Sequence, residues 1–310
     1  MNSTTANELN PLTSEELLRI QKDVAYYRKK YQVGRVVGED IFRILEHESR
    51  VLYYPIENPE ICAFFRRVDE RHFVFINTAI PYEKQIFAAA HELAHIWSTD
   101  SRKTRQSEIL YANAMNGYAG DPGTTIPSEI DHSEQIANRF AAEFLVETDE
   151  LKEEIKKNNI PELSSNREDW RKGENTELLV QFIKGVLILM DIFTVPYKTI
   201  VRRLFEINYL DKGLCEALLT VQARAPDSPI RMLQQRFHLC EKNNIVSCRK
   251  KLDNIVDLSL TAFEKDLITY EKLESLLGME DKSPSMFHIR SPEEELMSEE
   301  ELEARLTEDE

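Results

Sequence analysis

Residues 86–97 read IFAAAHELAHIW, an apolar run broken only by His91, Glu92 and His95. On a helix, residues four apart lie on one face, so His91 and His95 can present two imidazoles to one metal ion. Glu92 stands about 100° round the axis from His91. It can therefore reach a water beside the ion without being a ligand. Two His ligands, an open position and a carboxylate base form the arrangement of a zinc hydrolase. Ala88, Ala89, Ala90 and Ala94 leave room for close packing around the histidines. Buried without a metal, two imidazoles and a carboxylate would be costly, which favours a metal site over satisfied core histidines.

A third protein ligand is required. Ser98 and Ser101 stand where an HExxHxxGxxH extension would need glycine and histidine, so that extension is excluded. The other route is a ligand on the following helix, expected over 129–146 (EIDHSEQIANRFAAEFLV). Glu129, Asp131, His132, Glu134 and Glu143 are its candidates. His132 and Glu134 are about 200° apart on a regular helix, so only one can face the metal. Glu143 falls on the face opposite Glu134, and surface positions suit it and Glu129. The Glu134 face continues through Ala137, Asn138, Ala141 and Leu145, a mostly small and apolar stripe suited to packing on the HELAH helix. Glu134 is the favoured ligand, with His132 the alternative.

Working outward, the segments before the motif predict a small sheet. VLYYPI (51–56), ICAFF (61–65) and HFVFIN (72–77) are β-rich. The short connections point to antiparallel pairing. Helices are expected at 14–31, with Ser14 as cap, and at 38–49. Pro81 opens the HELAH helix. Residues 99–127 read as a long loop rich in Gly, Ser, Thr, Asn and Asp, and such loops are usually functional or mobile. Ser128 suits the cap of the next helix. Thr148 suits the cap of a further one (TDELKEEIKKN), which reads as mostly solvent-exposed. A polar connector follows at 159–173, and then only helical patterns, at 177–192, 197–207, 212–222, 229–240, 245–264 and 270–278. No internal repeat is found. The expected organisation is N-terminal helices (1–50), a metal-site core (51–160), an all-helical C-terminal domain (174–283) and an acidic disordered tail (284–310).

Composition narrows the classes. Hydrophobic residues make up 42% and charged residues 30% of 310, which excludes full-length disorder and fibrous folds. No apolar run reaches the roughly 18–20 residues that span a bilayer. MNSTTANELN lacks the basic and apolar regions of a signal peptide. The four cysteines (Cys62, Cys215, Cys240, Cys248) include no CxxC, and His238 with Cys240 and Cys248 fits no common zinc spacing. A cytoplasmic protein with no membrane association is expected. Net charge is −16, of which residues 291–310, with ten acids against one arginine, hold −9. An acidic body argues against direct nucleic-acid binding. VPYKTIVRRLFEINYL (195–210) could pass for a DNA-binding element, but Val195, Ile200, Val201, Leu204 and Phe205 look like core, and a protein-interaction role is favoured.

HELAH followed by Glu134, Ala137, Asn138, Phe140, Ala141, Ala142 and Leu145 resembles the ImmA/IrrE family of metallopeptidases. The approach FVFIN (73–77), Pro81 and IFAAAHELAH resembles the same family. FTVPYKTIVRRLFEINYL (193–210) resembles the helix-turn-helix-like segment after its core, and LITYEKLESLLGM (267–279) a C-terminal element. The resemblance implies an α+β, minimal gluzincin-like core, with a small sheet, the HExxH active-site helix and a Glu-bearing second helix, followed by the all-helical C-terminal domain. It implies zinc on His91, His95 and Glu134, with manganese the alternative ion, and Glu92 as catalytic base. The implied activity is that of a zinc metallo-endopeptidase in transcription regulation, and the implied substrate is a helix-turn-helix repressor. A rival of another class is a non-catalytic metal-binding protein that sequesters a repressor, or a toxin-like partner. Two features depart from the family. Phe144, Leu145, Val146 and Glu147 replace its Met-Pro continuation, and the 95-to-134 gap is long. Candidates for the oxyanion donor are His132, Tyr111 and Tyr118.

Overall fold

The computed structural model describes residues 12–68, 71–97, 107–111, 132–163 and 176–292, apart from 222, 224, 226 and 253. Helix α1 (Ser14–Lys30) starts one residue earlier than its expected cap would allow. Thr13 is the cap, because the reciprocal box needs a carboxylate three residues on, and Glu16 supplies it. Helix α2 (Asp40–Glu48) leads into β1 (Arg50–Tyr54). Strands β2 (Ile61–Val68) and β3 (Arg71–Asn77) follow, and the four-stranded sheet has the order β1-β3-β2-β4.

The all-antiparallel expectation fails at β1, which runs parallel to β3, with Val51 opposite Val74 and Tyr53 opposite Ile76. The cause is visible at Asn77, a buried residue at the end of β3. Its Oδ1 accepts from the Ile56 and Ala79 amides, both at 2.9 Å, and its Nδ2 donates to the Ile61 carbonyl at 2.7 Å. The 55–60 connection is thus tied across the end of β3. It carries the chain past β3, so that β1 and β2 flank it instead of forming a hairpin. A second correction concerns 99–127. Within that expected loop, Ser107–Tyr111 form β4, antiparallel to the edge of β2.

Helix α3 (Tyr82–Trp97) is buried at every position from Glu83 to Leu93, as befits a helix enclosed on several sides. The sheet covers one side and α4 (His132–Leu145) another. One amide and one carbonyl flanking α3 are satisfied by a distant segment. The Tyr82 amide donates to the Ile245 carbonyl at 2.8 Å, and the Cys248 amide donates back to the Thr78 carbonyl at 3.0 Å. Asn243 ties the same segment to Glu83 at 3.1 Å and to the Met190 carbonyl at 3.0 Å. Residues 245–249 therefore form an extended strap, and the helix expected from 245 begins only at Ile255.

Helix α5 (Thr148–Lys157) is capped by Glu147, which accepts from the Asp149 and Glu150 amides. Thr148 is not the cap because its hydroxyl is held by Glu143 at 2.7 Å. Nor is α5 mostly exposed, since Leu151, Glu154 and Ile155 are buried. Then come α6 (Thr176–Phe193), α7 (Tyr197–Glu206), α8 (Lys212–Leu219), α9 (Pro229–Phe237), α10 (Ile255–Glu264) and α11 (Tyr270–Gly278). Gly185 in α6 lies where a Cβ would come within 2.7 Å of the Ile160 side chain, so close approach requires glycine there.

The compact units divide after Arg249, not near 160–174. One apolar core runs from α1 through α3 and α4 into Phe182, Val186, Leu189, Val201 and Leu204. The Tyr209 hydroxyl also donates to the Ile160 carbonyl at 2.6 Å across the expected boundary. Neither α1 nor the 176–249 helices form a separate domain. The second unit comprises residues 250–310, in which α10 and α11 pack together around Leu273 and Leu277. Residues 293–310 of the acidic tail lie outside the described part. Among the described residues no single helix is long and apolar enough to cross a membrane.

Candidate metal centre

Helix α3 places His91 and His95 one turn apart, with ring centroids 4.8 Å from each other. Helix α4 delivers Glu134 from its first turn onto the same spot. The two Nε2 atoms are 3.0 Å apart; Glu134 Oε2 lies 3.0 Å from His91 Nε2, and Oε1 lies 3.1 Å from His95 Nε2. One donor atom from each residue falls within a cluster 4.8 Å across. Ala88 and Ala89 of α3 and Ala137 and Ala141 of α4 are all buried. His91 and Glu134 are buried, whereas His95 is partly open, giving the centre one accessible side. Glu92, beside His91 on α3, is buried too.

The electrostatics fit a cation. Burial pushes the His91 imidazole below its ordinary range, outweighing the opposing pull of Glu134. Burial also opposes ionisation of Glu134, but the facing imidazoles overcome it and hold the carboxyl well below the usual carboxylate range. His91 Nδ1 lies 3.0 Å from Asn138 Oδ1, which can accept a ring proton carried on that nitrogen. With the proton there, Nε2 presents a bare lone pair. Two imidazole nitrogens and a carboxylate stand mutually about 3 Å apart, so a ring proton or a cation between them is needed to keep their lone pairs from repelling. Among the described residues no Lys or Arg pairs with Glu134 to provide it. A divalent ion fits this donor set.

Not every candidate residue joins the cluster. His132 is exposed, and its Nε2 lies 2.6 Å from Glu16 Oε1 on α1. It is neither the third member nor aimed at the centre. The Thr13 cap, joined by His132, pulls the Glu16 carboxyl down to about 2. Tyr111 ends β4 opposite Ile61. Tyr118, Glu129 and Asp131 lie outside the described residues. Glu143, read above as a surface residue, is buried in the last turn of α4. It pairs with Arg139 at 2.8 Å and with Arg203 at 3.0 Å. Arg203 in turn donates to the Val146 carbonyl at 3.0 Å and meets Glu206, which also faces Arg139 at 3.3 Å. The i, i+4 pair Arg139–Glu143 was the available sequence signal for this cluster. Asn138, one turn after Glu134, was legible only as a polar member of an apolar stripe. Cys240 is buried with its thiol against the Leu187 carbonyl, and Cys248 is exposed.

A helix-borne pair of imidazoles completed by a carboxylate from a second helix defines a metal-dependent class of site. The model of the peptidase family described as the IrrE N-terminal-like domain matches residues 46–205. This span takes in the whole sheet, α3, α4 and the helices through most of α7. The chain belongs to the ImmA/IrrE family of metallopeptidases. No curated protein matches it in sequence.

Proposed function

We propose that this protein is a zinc-dependent endopeptidase of the cytoplasm, using manganese where zinc is replaced, and that it cuts a helix-turn-helix transcriptional repressor. The observation carrying this reading is the buried convergence of His91, His95 and Glu134 with Glu92 adjacent on the same helix, in a chain of a metallopeptidase family. Lewis acidity toward a water and a peptide carbonyl is what a zinc ion supplies when held by those three residues.

The chain's own residues do the rest. Asn138 keeps the His91 proton on Nδ1, away from the centre. Glu92 takes a proton from the attacking water as the new C–O bond forms, and returns it to the amide nitrogen as the C–N bond breaks. Burial of Glu92 and His91 excludes bulk water around that transfer.

Protein rather than DNA as partner is supported by α7. Arg203, one of its three basic residues, is fully buried among Glu143, Glu206 and Thr148, and so offers no charge to a phosphate backbone. The repressor as substrate class rests on family membership.

The test is co-expression of a candidate repressor with the wild type or with Glu92→Gln. Glutamine keeps the shape and removes the base, a loss of about 10²–10⁴-fold or more. Wild type should shorten the repressor and switch a reporter on, while Glu92→Gln binds it and does neither. Derepression by Glu92→Gln with the repressor intact would replace the peptidase with a sequestering protein.

A further inference from the structure

The two helices that carry the centre share a third neighbour, α1. On α4, His132, Ile136, Phe140 and Phe144 follow at intervals of four and form one stripe. It lies on the far side from Glu134, since two residues turn a helix by about 200°. On α1, Glu16, Ile20, Val24 and Arg28 form a stripe of the same spacing. Ile20 and Val24 are buried, as is Phe140. The ends of the stripes meet through polar groups. Glu16 Oε1 lies 2.6 Å from His132 Nε2, and Arg28 Nη1 donates to the Phe144 carbonyl at 2.8 Å. The interval from Glu16 to Arg28 equals that from His132 to Phe144. The two helices therefore run parallel and in register. Phe144 stands in the last turn of α4, where carbonyls lack helical partners and the dipole favours a cation. Helix α1 also reaches α3. The Tyr27 ring stacks on Trp97, with centroids 3.9 Å apart and planes at 7°, and its hydroxyl donates to the Trp97 carbonyl at 3.4 Å. Trp97 ends α3, two residues after His95.

From this geometry we infer that α1 is a brace for the metal centre, with Arg28 and Tyr27 as positioning residues that hold the Glu134 helix in register with the histidine helix. This role rests on the metal-site reading above. A slip of one residue along α4 would shift the carboxylate by about 1.5 Å and turn it by about 100°. Glu134 would then lose its 3.0 and 3.1 Å approaches to the two imidazoles. Arg28 opposes the slip because its guanidinium is itself fixed, with Nη2 donating to the Gly34 and Arg35 carbonyls at 2.8 and 3.0 Å. The Glu16–His132 pair is exposed and contributes little. Helix α1 precedes the matched residues 46–205, so family membership does not assign it this role. Coupling between two sites is reciprocal and typically amounts to about 5–150-fold. If docking of α1 raises zinc affinity, zinc must tighten the docking of α1 by the same factor.

The experiment has three arms on the full-length protein. Hydrogen exchange of the wild type, with and without zinc, reads the coupling and needs no variant to fold. Zinc should slow the amides of α1 from Ile20 to Arg28 together with those of α4, and leave those of α10 unchanged. Zinc titration against a competing chelator then compares wild type, Arg28→Met, Arg28→Lys and Tyr27→Leu. Methionine keeps much of the stem and removes the donors, so zinc should weaken about tenfold. Lysine can still reach one carbonyl and should recover part of the loss. Tyr27→Leu removes the stack and the hydroxyl and should weaken zinc as well. A merely structural role would lower the melting temperature of Arg28→Met but leave its zinc affinity unchanged, and that result overturns the inference. So does zinc that slows α1 no more than it slows α10. His91→Ala is the separating control. If zinc binding survives it, the metal-site reading has failed; if zinc is lost there but held at wild-type strength in Arg28→Met, only the role of α1 has failed.

Discussion

Helix α4 carries two buried carboxylates, Glu134 in its first turn and Glu143 in its last, and their charges are met in opposite ways. Glu143 sits with Arg139, Arg203 and Glu206, two fixed cations against two anions, plus the Thr148 hydroxyl and amide. Glu134 sits with two imidazoles, neither of them a fixed cation, and no Lys or Arg among the described residues pairs with it. A buried charge must be paired or must coordinate a metal. The chain supplies the whole balance at Glu143 and leaves it one-sided at Glu134. The difference separates a structural charge cluster from a ligand set without reference to any family, and it is open to test at both ends of the helix.

The largest effect is expected where the balance is internal. Arg203→Met leaves Glu143 facing a single guanidinium in a dry setting, and should destabilise the fold by about 3–5 kcal/mol in chemical denaturation. Glu134→Gln, measured on metal-free protein, should cost less, because neither imidazole that faces it is a fixed cation. Equal losses at the two positions would break the comparison.

The next effect is specific to the other end. Zinc at a hundredfold excess over its dissociation constant should stabilise the wild type by about 2.7 kcal/mol. The same addition should leave Glu134→Gln nearly unmoved and should stabilise Arg203→Met as much as the wild type. The readout is the shift in thermal or chemical unfolding midpoint with and without zinc.

A smaller effect concerns acid. Burial opposes the charge on Glu143, but the Arg203 and Arg139 guanidiniums outweigh it and lower the carboxyl below its ordinary value. The folded value thus lies below the unfolded one. The contribution is complete above the unfolded carboxylate range near pH 4.5 and is lost as pH falls through the folded value. The stability gap between wild type and Glu143→Gln should therefore be constant from pH 8 to about 5.5 and narrow below about 4.5. A gap that widens in acid would mean that Glu143 is not an ionised partner.

Local spacing carried the centre. His91 and His95 are four apart, and Glu134 was favoured over His132 because it shares a face with the small residues Ala137 and Ala141. Contacts distant in sequence did not show. Asn77 decides the parallel pairing of β1 by hydrogen-bonding to a connection about twenty residues away, which no alternation of side chains reveals. Strand β4 is a five-residue run within a Gly-, Ser- and Asn-rich stretch, and it exists because β2 offers an edge. The 245–249 strap looked helical by composition, yet its backbone is committed to Thr78 and Tyr82. Glu143 looked like a surface residue because its partner Arg203 lies sixty positions on and reaches it only when α7 packs on α4.

The central claim is that the one-sided charge at Glu134 exists to receive a metal ion. Crystals of the wild type grown with zinc, measured on both sides of the zinc absorption edge, test it directly. The expected result is a single strong anomalous peak among His91 Nε2, His95 Nε2 and Glu134, with the Glu143 cluster empty. A map with no peak there, or with its strongest peak elsewhere on the chain, would contradict it.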